Sequence, residues 1–214
     1  MGNKDSMRFQ EKPAHEVTLN DYYIGETTVT NKIWDSIMRQ NAKEKANADC
    51  PKVRVSWDDV QAFIQKLNET LNVDEQNEKL TFRLPTEAEW EFAARGGNKS
   101  KNDYTYSGSN TLEDVAIIDR KKYRAYVVGR LQANELGIFD MSGNVKEWCE
   151  DYFGLYTIKE EDNPMGPRVG YSRVLRGGSF RSNKQTCSVY HRDCAFPDTK
   201  GENIGFRLVL EIDN

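Results

Sequence analysis

The segment from Asp140 to Glu147 combines two carboxylates with a turn that contains Gly143 and Asn144. A turn leaves backbone carbonyls without helical partners, and Ca2+ prefers mixed carboxylate and carbonyl oxygen ligands. The residue types therefore predict a calcium site in this segment. The alternative is that both carboxylates only accept hydrogen bonds from backbone N–H groups of the turn.

The four cysteines are the other residues with chemical potential. None of them forms a pair separated by two residues, which argues against a structural zinc site. Disulfide pairing is left open, because four cysteines allow three full connectivities. The simplest interpretation is that the four behave as small buried hydrophobic residues. They are Cys50, Cys149, Cys187 and Cys194.

The two histidines, His15 and His191, are far apart in the sequence. A site of two histidines and a carboxylate would require them to meet, and no pattern indicates that they do. His15 is interpreted as a residue at the start of a strand. His191 is interpreted as a partly exposed loop residue that could contact a ligand.

Charge and length exclude several classes of protein. The 214 residues carry 30 Lys and Arg against 34 Asp and Glu, which gives a net charge of −4. This balance argues against a general nucleic-acid binder. No run approaches the roughly 18 apolar residues of a transmembrane helix, and no signal peptide is visible. The length suits one sizeable domain.

Three helices are predicted in the first half of the chain. Thr30 can cap the first helix. Ser56 and Asp59 form a variant capping box ahead of apolar residues at helical spacing, which predicts the second helix. Thr86 and Glu89 form a full capping box at the start of the third.

The rest of the chain predicts short strands and loops. Residues 15–24 predict a strand pair or a bent strand, and the polar residues 72–79 and 98–132 predict loops. Helices in the first half can cover a sheet in the second half only if both fold together, so one α+β domain over residues 1–214 is predicted. Further short strands of a mostly antiparallel sheet are predicted at residues 80–84, 137–139, 143–145, 174–178 and 205–210.

Several motifs occur in one order along the chain. The longest are FRLPTEAEWEFAARGG at residues 82–97 and NELGIFDMSGNVKEW at residues 134–148. The others lie at residues 29–34, 51–63, 176–180 and 205–208. Together and in this order they resemble the sulfatase-modifying factor family, whose namesake is the formylglycine-generating enzyme. The resemblance covers residues 29–208.

The resemblance implies an irregular, loop-rich α+β domain related to the C-type lectin fold. Family members usually begin with a Gly-x-Phe-x-Met-Gly strand, and Met1-Gly2 is similar to the end of that motif. The first strand is therefore expected to be trimmed. The compartment of the intact protein stays open, with export or surface exposure among the alternatives.

Oxidase chemistry is the alternative function that the resemblance implies. Formylglycine-generating enzymes oxidise a substrate cysteine with O2 and a Cu(I) ion held by two thiolates, in a Cys-x4-Cys arrangement. Cys187 falls on the first of these positions and Arg192 on the second. Cys194 lies two residues further on, where only a turn would bring it to the same metal. Lys146 also replaces the family's Trp beside the peptide groove.

The resemblance also specifies the ligands of the predicted calcium site. The matching family segment binds Ca2+ through the side chains at the positions of Asp140 and Glu147. The carbonyls at the positions of Gly143 and Val145 complete the set. All four positions are compatible with that role in this chain.

The preferred hypothesis is a non-catalytic ligand- or protein-binding domain that presents the loop at residues 181–203 as its recognition face. The mixed residue types of this loop are typical of adaptable contact surfaces. Whether the ligand is a protein, a small molecule or a glycan is left open. Some bacterial and phage members diversify this stretch by retroelements, so the resemblance permits a variable protein. The candidate ligand-binding residues are Arg181, Lys184, Tyr190, His191, Arg192, Phe196 and Asp198.

Overall fold

The three capped helices form where the sequence predicts them in the computed structural model, which describes residues 1–39, 47–71, 80–119, 121 and 124–212. Helix α1 spans Asn31–Met38, and the Thr30 side chain accepts a hydrogen bond from the N–H of Ile33. Helix α2 spans Trp57–Leu71. Helix α3 spans Glu87–Ala94 and has the predicted capping box. The loop predicted at residues 72–79 lies outside the described residues.

A fourth helix, α4, occupies Leu112–Val115 inside the predicted loop at 98–132. One helical turn is too short to show an apolar period in the sequence, which is why the pattern misses it. Within the described part of the chain, no helix is long and apolar enough to span a membrane.

The strands form three small sheets. The strands are β1 Val17–Thr18, β2 Tyr23–Ile24, β3 Leu80–Arg83, β4 Lys146–Tyr152, β5 Glu161–Asp162, β6 Arg173–Arg176, β7 Asp193–Ala195, β8 Ile204–Gly205 and β9 Val209–Ile212. Strand β1 pairs with β5 in parallel, and β2 lies beside β9 in a three-stranded sheet of order β2-β9-β3. The predicted strand pair at 15–24 is therefore two strands that belong to different sheets. The third sheet has the order β7-β6-β4-β8, in which only the β4–β8 pairing is parallel.

The strands predicted at residues 137–139 and 143–145 are wrong. Both stretches are turns that lead into β4. Asp140 and Asn144 adopt positive φ angles of 60° and 54°, a left-handed conformation that interrupts an extended strand. The Gly residues that suggested strand ends belong to these turns.

An aromatic cluster holds the helices against the sheets. The Trp34 and Phe63 rings stack at 5.0 Å, and Phe206 meets Phe63 edge-on at 5.5 Å. Trp148 on β4 is fully buried, and its indole N–H donates to the carbonyl of Val55 at 3.1 Å. The mixed helices and sheets confirm the predicted irregular α+β class, and the core fixes β4 as the strand around which the candidate sites lie.

Candidate functional site

The sequence predicts a loop at residues 181–203, but the structure has a partly regular segment there. A 3-10 helix spans Lys184–Cys187, and Asn183 and Thr186 form its capping box. Strand β7 follows and forms the outer edge of the four-stranded sheet, with Asp193 opposite Leu175. These elements fix which side chains of the segment face outward.

Four of the seven predicted ligand-binding residues are exposed. They are Arg181, Lys184, Phe196 and Asp198. Phe196 has 62% of its surface exposed, an unusual fraction for a large aromatic residue. Tyr190 is half-buried and packs against the cluster around Trp90. The outward half of the segment therefore offers one aromatic and several charged side chains to a partner.

His191 is not the partly exposed loop residue that the sequence predicts. Only 5% of its surface is exposed, and Nδ1 lies 3.0 Å from a carboxylate oxygen of Glu11. Although burial opposes the change, hydrogen bonds from His191 and Ser6 lower the pKa of Glu11. His191 thus ties the segment to the N-terminal residues instead of meeting a ligand at the surface.

Arg192 is also buried, so its predicted role on an exposed face is wrong. Its guanidinium makes two hydrogen bonds of 2.6 Å to the Glu87 carboxylate and lies 3.7 Å from the centre of the Tyr156 ring. It also donates to the carbonyl oxygens of Gln10 and Gly154. These contacts make Arg192 an anchor inside the fold, since a buried charge requires paired and hydrogen-bonded neighbours.

Cys187 and Cys194 lie in different environments. Cys187 is fully buried in a cluster with Tyr106 and Leu112, and burial raises the pKa of its thiol to about 11. Cys194 is exposed on β7, opposite Val174. Burial raises the pKa of the Cys194 thiol as well. Both sulfurs are therefore protonated thiols at neutral pH in the metal-free chain, and each would have to release its proton to bind Cu(I).

Five charged side chains lie on β4 and β7 and in the neighbouring loops, and we call this group the charged strip. Lys146 forms an ion pair with Asp193. Glu202 accepts hydrogen bonds from Arg54 at 2.5 Å and from Arg181 at 2.7 Å, and these bonds lower its pKa. The strip consists of Arg54, Lys146, Arg181, Asp193 and Glu202.

Backbone and amide contacts join the two halves of the charged strip. The N–H of Lys146 donates to the Asn203 carbonyl at 2.9 Å, and the Asn203 side-chain amide donates to Ser179 Oγ at 3.0 Å. The N–H of Arg181 donates to the same hydroxyl oxygen at 3.3 Å. Exposed ion pairs of this kind contribute little stability, so their charges are available for exchange with a partner's charges.

Of the charged strip, the sequence predicts only Arg181 as a binding residue. Lys146 stands where the family has Trp, and that departure is the sequence signal for the strip. Arg54, Asp193 and Glu202 carry no local pattern. They meet only because β4 and β8 pair and the segment folds back beside them.

The predicted calcium ligands have other partners. The Glu147 carboxylate is fully buried, receives two hydrogen bonds from Arg207 at 2.6 and 2.7 Å, and accepts the indole N–H of Trp90 at 2.8 Å. Asp140 accepts the N–H of Gly129 at 2.8 Å, and burial raises its pKa. Arg207 thus already supplies the positive charge that Glu147 requires.

These residues do not fit a calcium site as they are arranged, because a Glu147 ligand would have to leave Arg207. Gly143 and Val145 lie in the turn as expected, and the Gly143 N–H donates to the Gly177 carbonyl at 2.8 Å. Among the residues that the structure describes, no group of three or more His, Cys, Asp or Glu side chains could hold a metal ion. The calcium site predicted from the sequence is untested, and the contacts of Glu147 argue against it.

Comparison with known proteins identifies relatives along nearly the whole chain. The model of the sulfatase-modifying factor enzyme 1-like domain matches residues 1–212. Chaperone protein LppX of Paenibacillus barcinonensis is 32% identical over an alignment of 237 positions, and the match covers 90% of this chain and 81% of that protein. The formylglycine-generating enzyme of Streptomyces coelicolor is 33% identical, and the match covers 76% of this chain but only 53% of the enzyme.

Solved structures share the fold. Treponema denticola variable protein 1 superimposes with a TM-score of 0.85 and 31% identity, and the match covers 97% of this chain and 90% of that one. PvdO from Pseudomonas aeruginosa has a TM-score of 0.81 at 21% identity, which shows the fold alone. The C-type-lectin-like architecture that the motifs implied is thereby confirmed.

Proposed function

Since the chain belongs to the sulfatase-modifying factor family, we propose that it is a non-catalytic binding domain of that family. Its recognition face consists of the exposed side chains of residues 181–203 together with the charged strip. The family supplies the scaffold, and the function depends on the residues that the scaffold presents.

The observation that carries the proposal is the difference in environment between the two candidate thiols. Cys187 is enclosed in an apolar cluster, and Cys194 is exposed on an edge strand. Arg192, at the position of the second family thiolate, is held by Glu87. A two-sulfur Cu(I) centre would need both thiols in one groove, so the residues support recognition instead of oxidation.

The relatives support a protein ligand. One is named a chaperone protein and another a variable protein, and each match covers at least four fifths of both chains. The match to the Streptomyces enzyme covers about half of that enzyme. The names of the relatives that match over most of their length thus favour binding, and we propose a protein as the partner.

Phe196 is the expected centre of the recognition face. Exposed aromatic side chains surrounded by charged groups resemble the anchors of protein interfaces. The backbone around Phe196 is fixed, because the N–H of Trp57 donates to the Pro197 carbonyl at 2.8 Å and the N–H of Thr199 to the Phe196 carbonyl at 3.0 Å. A fixed anchor reduces the entropy lost on binding.

Selection from a displayed library of random peptides tests this face. We expect the selected peptides to bind the wild-type chain and to lose at least about tenfold in affinity with Phe196→Ser, the usual cost of removing an interface anchor. Tyr23→Ser is the matched control, because Tyr23 has 65% of its surface exposed but lies on β2. Equal losses with both variants, or binding unaffected by Phe196→Ser, would contradict the proposed face.

Diversification by a retroelement is the finer proposal for the same segment. The coding sequence for residues 181–203 would then have a near-duplicate that differs at adenines, beside a reverse transcriptase gene. A genome without that arrangement would remove this finer proposal and leave the binding domain as proposed.

A further inference from the structure

A cavity of about 550 Å3 lies at the C-terminal end of β4, apart from the recognition face. Glu87, Asp151 and Arg192 line it, and the excursion at residues 154–167 forms one wall. Its volume lies in the range of pockets that enclose a small ligand or a side chain. Nothing in the proposed recognition function uses this cavity.

Asp151 is the unusual residue of this cavity. Only 4% of its surface is exposed, and its Oδ2 accepts the N–H of Glu87 at 2.7 Å. No other residue in the described part of the chain donates a hydrogen bond to this carboxyl from its side chain or forms an ion pair with it. A Cβ at Gly166 would lie 3.1 Å from Asp151 Oδ1, so the glycine leaves space beside that oxygen.

The nearby guanidinium of Arg192 is already paired with Glu87. Arg192 makes both of its carboxylate hydrogen bonds to Glu87, and the Tyr156 hydroxyl donates to Glu87 at 3.1 Å. Asp151 therefore lies in a buried place without a positive partner. A carboxyl in that position either stays protonated or receives a cation from outside.

The rim of the cavity differs in chemistry from its floor. Leu155 and Met165 line the rim and have 64% and 65% of their surfaces exposed. Glu161 and Asp162 also line the cavity, so its four acidic side chains outnumber its basic groups, which are Arg192, His15 and the amino terminus at Met1. An apolar rim above an acidic floor suits a ligand with an apolar stem and a positively charged end.

We propose that this cavity binds a lysine or arginine side chain of a protein partner. The methylene stem packs between Leu155 and Met165, and the charged end pairs with the Asp151 carboxylate. Complementary charge selects the basic residue, and the apolar rim selects a long side chain over a small cation.

Proton release accompanies this binding. Burial is the main cause that raises the pKa of Asp151 to about 8, and repulsion from the Glu87 carboxylate is the second cause. The charged groups that face Asp151 are Glu87 on α3, Glu150 on β4 and Arg192. Glu161, Asp162, His15 and the amino terminus at Met1 also line the cavity. A bound cation favours the ionised carboxylate, so the affinity increases as the pH rises through the pKa of Asp151.

NMR titration of the full chain with blocked tripeptides tests the proposal. The probes are Ala-Lys-Ala and Ala-Arg-Ala, and the comparison peptides carry norleucine or Glu at the centre. We expect shift changes at residues 151–167 for the basic peptides only. We also expect their affinity to increase about thirtyfold from pH 6.5 to pH 9, because the ionised fraction of Asp151 increases from about 3% to about 90%. Equal binding of the norleucine or Glu peptide, or shifts confined to other surfaces, would overturn the proposal.

Two variants separate this site from a general loss of structure. Asp151→Asn keeps an oxygen that can accept the Glu87 N–H, and it should abolish both the binding and its pH dependence. Leu155→Ser changes only an exposed rim residue and should weaken binding without changing the fold. Full binding by Asp151→Asn would contradict the assignment. Asp198→Asn and Phe196→Ser should bind as the wild type does, so this test and that of the recognition face can fail independently.

Discussion

Arg192 and Asp193 are consecutive residues, yet they belong to two different regions of the molecule. Arg192 forms a buried ion pair with Glu87 beside the cavity, and Asp193 forms a partly exposed ion pair with Lys146 in the charged strip. Both contacts are ion pairs, but burial gives them different effects on stability. A buried pair fixes the fold because neither charge can be left alone, whereas an exposed pair can exchange its partner.

Breaking the buried pair should have the largest effect. Arg192→Met removes both short hydrogen bonds to the buried Glu87 carboxylate and leaves it only Arg176 as a cationic partner, at 3.5 Å. We expect the free energy of unfolding to decrease by about 3–5 kcal/mol. Urea denaturation measures this change. Arg181→Met in the charged strip is the control, with an expected loss below about 1 kcal/mol. Similar losses for both variants would remove the distinction between the two regions.

The buried Asp151 carboxyl should make the free energy of unfolding depend on pH. The pKa of Asp151 is about 8 in the folded chain and about 4 in an unfolded one, so the folded state retains a proton that the unfolded state loses. The wild type should therefore lose stability relative to Asp151→Asn as the pH rises from 5 to 7, by about 1.4 kcal/mol per pH unit. Denaturation at several pH values measures the slope. Asp198→Asn should run parallel to the wild type, and a parallel Asp151→Asn curve would contradict the raised pKa.

The charged strip should respond weakly to the same kind of change. A double-mutant cycle with Lys146→Met and Asp193→Asn should give a coupling free energy below about 1 kcal/mol. Added salt should reduce the coupling further, because exposed charges are screened. A coupling of several kcal/mol that salt does not change would place this pair with the buried one.

Calcium should have the smallest effect of all. Arg207 neutralises Glu147, so we expect EDTA and excess Ca2+ to change the melting temperature by less than about 1 °C. Thermal unfolding followed by circular dichroism measures this. A large decrease with EDTA that Ca2+ reverses would restore the predicted site at Asp140 and Glu147.

The sequence predicts the features that depend on near neighbours in the chain. The caps at Thr30 and Thr86 act over three residues, and the helices begin where these caps place them. The sequence predicts strands where the turns before β4 lie, because a glycine suits both a strand end and a left-handed turn. The ordered motifs predicted the fold class that the comparisons confirm.

Contacts between distant residues could not be predicted. His191 meets Glu11 across 180 positions, and Arg192 meets Glu87 across 105. Each pair is formed by side chains that are usually exposed, so residue type alone placed His191 and Arg192 at the surface. Asp151 could not be identified from the sequence for the same reason, because its burial depends on the distant contacts of the segment at residues 154–167.

An oxidase assay distinguishes a binding domain from a copper-dependent oxidase. The purified chain is loaded with Cu(I) and supplied with O2 and a Cys-x-Pro-x-Arg peptide, and the aldehyde is measured by mass spectrometry. Because Cys187 is buried and Cys194 is exposed on the edge strand, we predict no aldehyde above the level of a variant with Cys187→Ser and Cys194→Ser. Aldehyde formed by the wild type and lost in that variant would contradict the account and establish a redox catalyst.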